Sequence, residues 1–466
     1  MLPLDAWHAH TVVTETKTIV VGGGISGLVC AYALRKAGVD AVVVEASVRV
    51  GGVIRSERRD GFLLELGPQS FSGTTELRKL CSELGIADQE VEAPARAPRY
   101  VLLNGKLIAV PMSPPALLTS SLLGGRTKWN MARDAFGRSC APEEDESIAS
   151  FVRRKFGAEL LDRLVGPFVS GVYAGDPERL SLRSAFPQLY EAEKASGSVI
   201  RGMLRAAKAS SGPREQPTLL SFREGNETLV RALAAKIGAG LRASAEVVNI
   251  AIARDRTAGQ FEVRVRGAGG DETILAQRLV MAAPTDVAGR LLSGVNAELG
   301  RLLSGIEYAP VAVVSLGYRR ADVGHSLNGF GFLVPRSSGL RVLGTVWNSS
   351  LFSGRARDGL VLLTSFVGGV TDAGAVALSD EKLAALVHGE TRDLLHMTAA
   401  PVFSHVQIYR RALPQYNLGH AARLAAIEKS RQAVANLYFV GNYLRGPAIG
   451  SCVEQALSVA AAIHPV

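Results

Sequence analysis

Cysteine is scarce in this chain: four residues in 466, at positions 30, 81, 140 and 452. Their wide separation fits neither a disulfide framework nor a C-x-x-C metal or redox pair, which points to a reducing compartment, the cytoplasm. The eight histidines show no ligand spacing, so no metal centre is expected. Aromatic residues make up 6% of the chain and do not interleave with the basic ones. With no nucleic-acid motif either, nucleic acid is set aside as a partner. No apolar run of about 20 residues occurs, so no segment is expected to span a bilayer. The first residues include Asp5 and lack an uninterrupted apolar stretch, so they do not read as a secretory signal.

Positive charge is in excess. A net charge of +9 and a pI near 9.5 favour anionic partners such as phospholipid or a polycarboxylate. With 47% hydrophobic and 20% charged residues the composition is globular, and 466 residues suggest two or three domains.

The sharpest local signal lies near the start. Residues 18–21 read as a short buried strand, followed by Gly22-Gly23-Gly24-Ile25-Ser26-Gly27 and a helical stretch over 28–37. Gly22, Gly24 and Gly27 fit G-x-G-x-x-G. The first permits a tight turn, the second lets the backbone approach a pyrophosphate, and the third lets helix and strand pack closely. The positive N-terminus of the helix suits the phosphate. A second strand, 41–44, ends at Glu45, where a carboxylate can accept both ribose hydroxyls of a dinucleotide. Near the other end, apolar residues 437–440 lead into Gly441-Asn442 and a helix start around Gly450. A chain that finishes in its last residues a site begun in its first is wrapped around a large ligand.

Between these ends the pattern changes. Residues 99–108 read as a hairpin turning at Asn104-Gly105. From 114 to about 214 the pattern is helical, and two pieces have an interfacial character. Leu117, Leu118, Leu122 and Leu123 lie beside Arg126, Lys128 and Trp129. In 199–208, Val199, Ile200, Met203, Leu204 and Ala207 make one face and Arg201, Arg205 and Lys208 another. A surface helix packing on its own core has the same spacing, and that alternative stays open. Strands are expected at 247–250, 261–265 and 279–283. A second sheet, antiparallel or mixed, is expected from 311–318, 330–334, 341–347, 360–367 and 402–409. The predicted fold class is a Rossmann-type α/β cofactor domain (17–95, 219–290 and 426–466) joined to an α+β substrate domain (96–113 and 291–425). A helical, membrane-associating insertion (114–218) completes it.

Glu45-Ala46-Ser47-Val48-Arg49-Val50-Gly51-Gly52 resembles the E-x-x-x-R-x-G-G extension of amine-oxidase and glutathione-reductase type flavoproteins. Glu65-Leu66-Gly67-Pro68 resembles their loop beside the isoalloxazine. The resemblance implies non-covalent FAD. Its contacts would be Gly22, Gly24, Ile25, Ser26, Gly27, Glu45, Arg49 (meeting the pyrophosphate charge), Gly51, Gly52, Gly67, Pro68, Val247 (backbone toward the adenine) and Ala283. From the C-terminal end they would be Gly441, Asn442, Gly450, Cys452 and Val453.

Longer stretches resemble the protoporphyrinogen oxidase family. They are Arg99-Tyr100-Val101-Leu102 with Pro111, Ser170-Gly171-Val172-Tyr173-Ala174-Gly175-Asp176-Pro177, Gly329-Phe330-Gly331-Phe332-Leu333-Val334-Pro335, Pro414-Gln415-Tyr416-Asn417-Leu418-Gly419-His420 and Gly450-Ser451-Cys452-Val453-Glu454. The likeness covers nearly the whole chain after residue 16. It implies oxidation of a porphyrinogen in haem biosynthesis by three rounds of hydride transfer from a methylene bridge to flavin N5. An N–H proton is lost each time, and O₂ as acceptor gives peroxide. By the same resemblance Arg99 pairs with a propionate, Phe330, Leu333, Val346 and Phe366 line the macrocycle slot, and Gly171 and Gly175 permit close approach. Gln69 stands where many plant-type members have Asn. No general base is expected, because the cofactor supplies the hard chemistry.

Coproporphyrinogen III oxidation is the nearer alternative, with protoporphyrinogen favoured. Amine oxidation is disfavoured: residues 447–454 lack an aromatic for the flavin cage, and no cysteine lies between Cys140 and Cys452 for a covalent link. A non-catalytic flavoprotein is the alternative from another class. Peripheral attachment to the inner face of the cell membrane is expected, and a homodimer is admissible.

Overall fold

The computed structural model describes residues 12–111, 114–137, 142–209, 218–253 and 260–464. Val12–Val21 and Gly270–Met281 pair in parallel at the centre of a seven-stranded sheet, which Ala41–Val44 and Leu241–Arg242 extend on one side. On the other side Gly270–Met281 divides its partners. Its first half pairs antiparallel with Phe261–Gly267, itself paired with Ala245–Ile252, and its last residues pair in parallel with Leu437–Phe439. Ile19, Val20, Val43 and Val280 are wholly buried, because helices cover both faces of the parallel part. Ile25–Lys36, Thr75–Leu84, Glu227–Ile237 and Ile449–Ile463 form one layer, and Thr285–Leu292, Ala297–Ser304 and His420–Gln432 the other.

The N-terminal strand is longer than the apolar run 18–21. Residues 14–17 are polar and mix exposed and buried side chains, so no hydrophobic run announces them, and the pairing of 13–16 with 273–276 makes the stretch strand.

The second sheet has the order Phe403–Pro414, Tyr308–Arg319, Leu360–Gly368, Val342–Val346, Gly331–Leu333, Arg99–Leu103, Lys106–Ala109. Neighbours run antiparallel except Gly331–Leu333 with Arg99–Leu103, which run parallel. The sheet is therefore mixed. The hairpin that supplies its edge comes from a distant part of the chain, and no short turn dictates its direction. Asn104 (φ 49°) and Gly105 (φ 75°) form the primed turn that the Asn-Gly pair calls for. One face of this sheet packs on Asp380–Arg392 through Leu383 and Val387. The other carries Val311, Val313, Val346 and Phe366 and meets Ala174, Ala93 and Leu219.

Helices Gly125–Phe136, Ile148–Lys155, Gly166–Tyr173, Pro187–Ser196 and Val199–Ala209 surround Phe151, Val152, Val169 and Tyr173. Lys155 joins three of them, 2.7 Å from Asp134 and 2.9 Å from Glu193. Part of the apolar and basic sets with interfacial character turns inward. Leu122 and Leu123 are buried, and Arg201 turns inward, donating to the carbonyls of Ala135, Gly137 and Ser196. Met203 and Leu204 do remain exposed, as do Trp129 and Phe136. Among the described residues no helix is long and apolar enough to cross a membrane.

Candidate active site

The glycines of the first motif divide by what surrounds them. A Cβ on Gly22 (φ 112°) would stand 2.9 Å from the carbonyl carbon of Ala282, and one on Gly27 would stand 2.0 Å from the carbonyl oxygen of Gly22. Both glycines close the turn against the protein itself. At Gly24 nothing lies within 4 Å. That open face, at the N-terminus of Ile25–Lys36, has the shape and polarity of a phosphate cradle. Glu45 closes the next strand, its oxygens accepting from Gly23 N (2.7 Å) and Ser47 N (2.8 Å). Each carboxylate oxygen keeps a second lone pair for a ribose hydroxyl. Ala245 N donates to the Glu45 carbonyl (2.9 Å), and Val247 follows beside a register shift in its strand, so the expected adenine contact borders the ribose carboxylate. Buried Ala283 follows Ala282 at the end of the central strand.

Gly51 N donates to Gly23 O at 2.7 Å, and a Cβ on Gly52 would stand 3.5 Å from Gly24 Cα, so the glycine pair faces the phosphate turn. The Arg49 guanidinium donates to the carbonyls of Val50 (2.8 Å), Ile54 (3.1 Å) and Gly52, so these bonds shape the loop beside the phosphate turn and hold Arg49 against it. A Cβ on Gly67 would meet Val53 O at 2.0 Å, and Pro68 O accepts from Asn226 Nδ2 at 2.7 Å.

The C-terminal motif meets the first one. Leu28 and Val29 share a core with Val453 and Ala456. Gly450 leaves room for Thr74, and Gly441 N donates to Gln455 Oε1 at 3.0 Å. Asn442 O accepts from the Tyr416 hydroxyl. Cys452 is buried, and burial pushes its thiol up, opposed by a hydrogen bond with Ser26.

On the second sheet Phe330, Val346 and Phe366 converge in one apolar cluster with Ala93, Leu351 and Phe352. The Arg99 guanidinium lies 5.4 Å from the Phe330 ring centroid, and Arg99 is in register with Gly331. Leu333 aligns with Gly344, which aligns with Phe366. The two glycines of the 170–177 stretch also make room for protein side chains. A Cβ on Gly171 would stand 2.5 Å from Leu333, and one on buried Gly175 would stand 2.7 Å from both Gln415 and Leu180. The Gln69 amide nitrogen donates to Glu65 O and Gly67 O, and its amide oxygen accepts from Asn348 Nδ2 at 2.6 Å. It is a buried latch between the 65–69 loop and the helix Asn348–Leu351.

Glu65, Asn226, Asn348 and Arg355 escaped the sequence reading as site residues. Glu65 and Arg355 form an ion pair of 3.3 Å with 1% exposure on each side. One of two arginines in a Ser-Gly-Arg-Ala-Arg loop carries no sign that it is buried.

Comparison with known proteins agrees with this geometry. The profile of the family described as flavin containing amine oxidoreductase matches residues 25–464. The chain is 35% identical to protoporphyrinogen oxidase 1, chloroplastic, of Arabidopsis thaliana, across 96% of this chain and 88% of that protein. It is 28% identical to coproporphyrinogen III oxidase of Bacillus subtilis, across 94% and 95%. A proposed protoporphyrinogen oxidase from Exiguobacterium sp. 255-15 superposes with a TM-score of 0.79 at 25% identity, covering 97% of this chain and 98% of that one. The chain belongs to the flavin-containing amine oxidoreductase family and is an FAD-dependent oxidoreductase.

Proposed function

We propose that the protein oxidises protoporphyrinogen IX to protoporphyrin IX, with O₂ as acceptor and peroxide as by-product. The observation that carries this reading is the apolar cluster of Phe330, Val346 and Phe366 with Arg99 at its edge. Bound FAD supplies the hydride acceptor. The chain's own residues bind and orient. The apolar wall excludes water and holds a flat, greasy macrocycle, and the Arg99 fork fixes its register through a propionate. Phe330, Leu333, Val346 and Phe366 bring no titratable group, which suits a reaction whose chemistry belongs to the cofactor.

Coproporphyrinogen III is the second reading, favoured by one observation. Arg336, just past Leu333, has its Nε 3.4 Å from Ser170 Oγ and adds a second cation beside Gly171. Initial rates on the two porphyrinogens, followed by porphyrin fluorescence in air, decide between them. A preference for coproporphyrinogen moves the protein to that reading, and no porphyrin from either removes both.

Attachment to the cytoplasmic face of a membrane belongs to the same proposal. Trp129 and Phe136 stand seven residues apart on one exposed stripe, with Arg126 and Arg133 on the same helix. Met203, Leu204, Arg205 and Lys208 are exposed on the helix packed beside it. Exposed aromatics among cations suit an anionic lipid surface.

A further inference from the structure

The buried pair of Glu65 and Arg355 has more structure around it than a fold-holding role requires. Arg355 Nη2 contacts Glu65 Oε1 and also donates to Ser221 Oγ. Ser221 Oγ in turn donates to Asn226 Oδ1 at 2.7 Å, and Asn226 Nδ2 donates to Pro68 O at 2.7 Å. On the carboxylate, Ser56 Oγ donates to Oε2 at 2.6 Å and Asn226 N to Oε1 at 2.9 Å. The guanidinium is left with Nε and Nη1 buried and without acceptors. Leaving buried charged donors unmade is destabilising, and a well-packed apolar pair in the same space is often at least as stable. Stability alone therefore does not explain this arginine.

Its location suggests what does. Gly67 abuts Val53, one residue past the glycine pair that faces Gly24. The Arg355 guanidinium lies 5.3 Å from the ring of Phe352, which shares a cluster with Val346. The pair thus stands behind Gly67-Pro68, between the phosphate turn and the apolar slot. A flavin ring must fill that interval if it is to meet a substrate in the slot.

We propose that Arg355, balanced by Glu65, is a positioning residue that fixes the Gly67-Pro68 loop and sets the electrostatic potential at the bound flavin. Reduction adds negative charge to a flavin, so a nearby dry cation favours the reduced form and a balancing carboxylate moderates it. The other charges facing the pair are Glu227 toward Glu65, and Arg58 and Glu224 toward Arg355. Burial pushes the Glu65 carboxyl up to about 7, against the opposing pull of Arg355, Ser56 and Asn226. Well above that pH both charges are present; well below it the arginine stands alone.

The test is the midpoint potential of the flavin in the holoenzyme, measured by dye-coupled reduction without substrate, with thermal stability and flavin content recorded alongside. At high pH, Glu65→Gln leaves the cation uncompensated. The expected result is about a tenfold rise in the ratio of reduced to oxidised flavin at fixed potential, roughly 30 mV for a two-electron couple. Arg355→Met is expected to shift the potential the other way, and Arg355→Lys to stay near the parent. At low pH, where Glu65 is protonated in the parent as well, the Glu65→Gln difference should close. Equal potentials for Glu65→Gln and parent at high pH overturn the proposal. So does loss of flavin from Glu65→Gln and Arg355→Lys alike, which would reduce the pair to holding the fold. The proposal rests on the bound flavin and not on the porphyrinogen reading, and the potential is decisive even if no porphyrinogen is oxidised.

Discussion

The Tyr416 hydroxyl donates to the backbone carbonyl of Asn442, tying the 414–420 stretch to the C-terminal glycine motif. The segment around Tyr416 is a strap. Ser181 N donates to Tyr416 O at 2.8 Å, and Gln415 Nε2 donates to Tyr173 O at 2.9 Å. The His420 ring stacks on Tyr416 at 4.6 Å, with its Nε2 2.9 Å from Tyr443 O. Removing the hydroxyl by Tyr416→Phe leaves a carbonyl without its buried partner, which costs about 1–3 kcal/mol. Lower melting temperature and lower flavin content per chain are expected together. A variant that melts like the parent would show that the bond contributes nothing.

Gly24 and Gly27 separate ligand space from packing space. Gly27→Ala drives a methyl into the Gly22 carbonyl, so it should destabilise the protein even without flavin. Gly24→Ala meets no protein atom within 4 Å and should leave the apoprotein as stable as the parent while weakening FAD binding at least tenfold. Apoprotein melting curves and flavin titration check both. Tight FAD binding by Gly24→Ala would remove the phosphate from that position.

For Arg99, the prediction is a rise in KM. A charge-assisted hydrogen bond contributes about 1.5–3 kcal/mol, so Arg99→Ala should raise KM for a porphyrinogen by about 10- to 100-fold with kcat little changed. Steady-state rates over a range of substrate concentrations measure this. A fall in kcat at constant KM would point to a role other than anchoring.

Two buried groups make stability depend on pH in opposite directions. Burial holds His420 down to about 4 from 6.5. Its stabilising contribution is complete above pH 6.5 and is lost as pH falls through 4. Glu65, raised from 4.5 to about 7, contributes fully below 4.5 and loses that contribution as pH rises through 7. Displacements of this size correspond to about 3 kcal/mol each. The stability gap between parent and His420→Gln should widen from pH 4 to 7, and that between parent and Glu65→Gln should narrow over the same range. Denaturant unfolding across that range reads both, and gaps that do not change with pH would refute the assignments.

Flotation with anionic vesicles tests the membrane surface. The parent should float, and Trp129→Ala with Phe136→Ala should remain largely in solution, because two exposed aromatics are lost without disturbing a core. Parent protein wholly in the soluble fraction would end the proposal.

Much of the cofactor end was legible in the chain because local rules fix it. A strand, a glycine turn, a helix and a terminal carboxylate within some thirty residues leave one arrangement, and Asn104-Gly105 leaves one turn. The polar stretch before residue 18 was not legible, since only its pairing with the strand ending at Met281 makes it a strand.

By itself, then, the sequence determined the dinucleotide turn, the presence of the two large sheets and the wrapping of the chain from both ends. These depend on backbone conformations and hydrophobic patterns that residues impose on their neighbours. Tertiary structure alone decided who fills each space. Gly175 admits Gln415, Arg49 serves its own loop, Gln69 latches onto Asn348, and Arg355 is buried against Glu65. Those outcomes join residues up to 290 positions apart, and a side chain's partner at that distance is set by how whole elements pack, which no local pattern encodes.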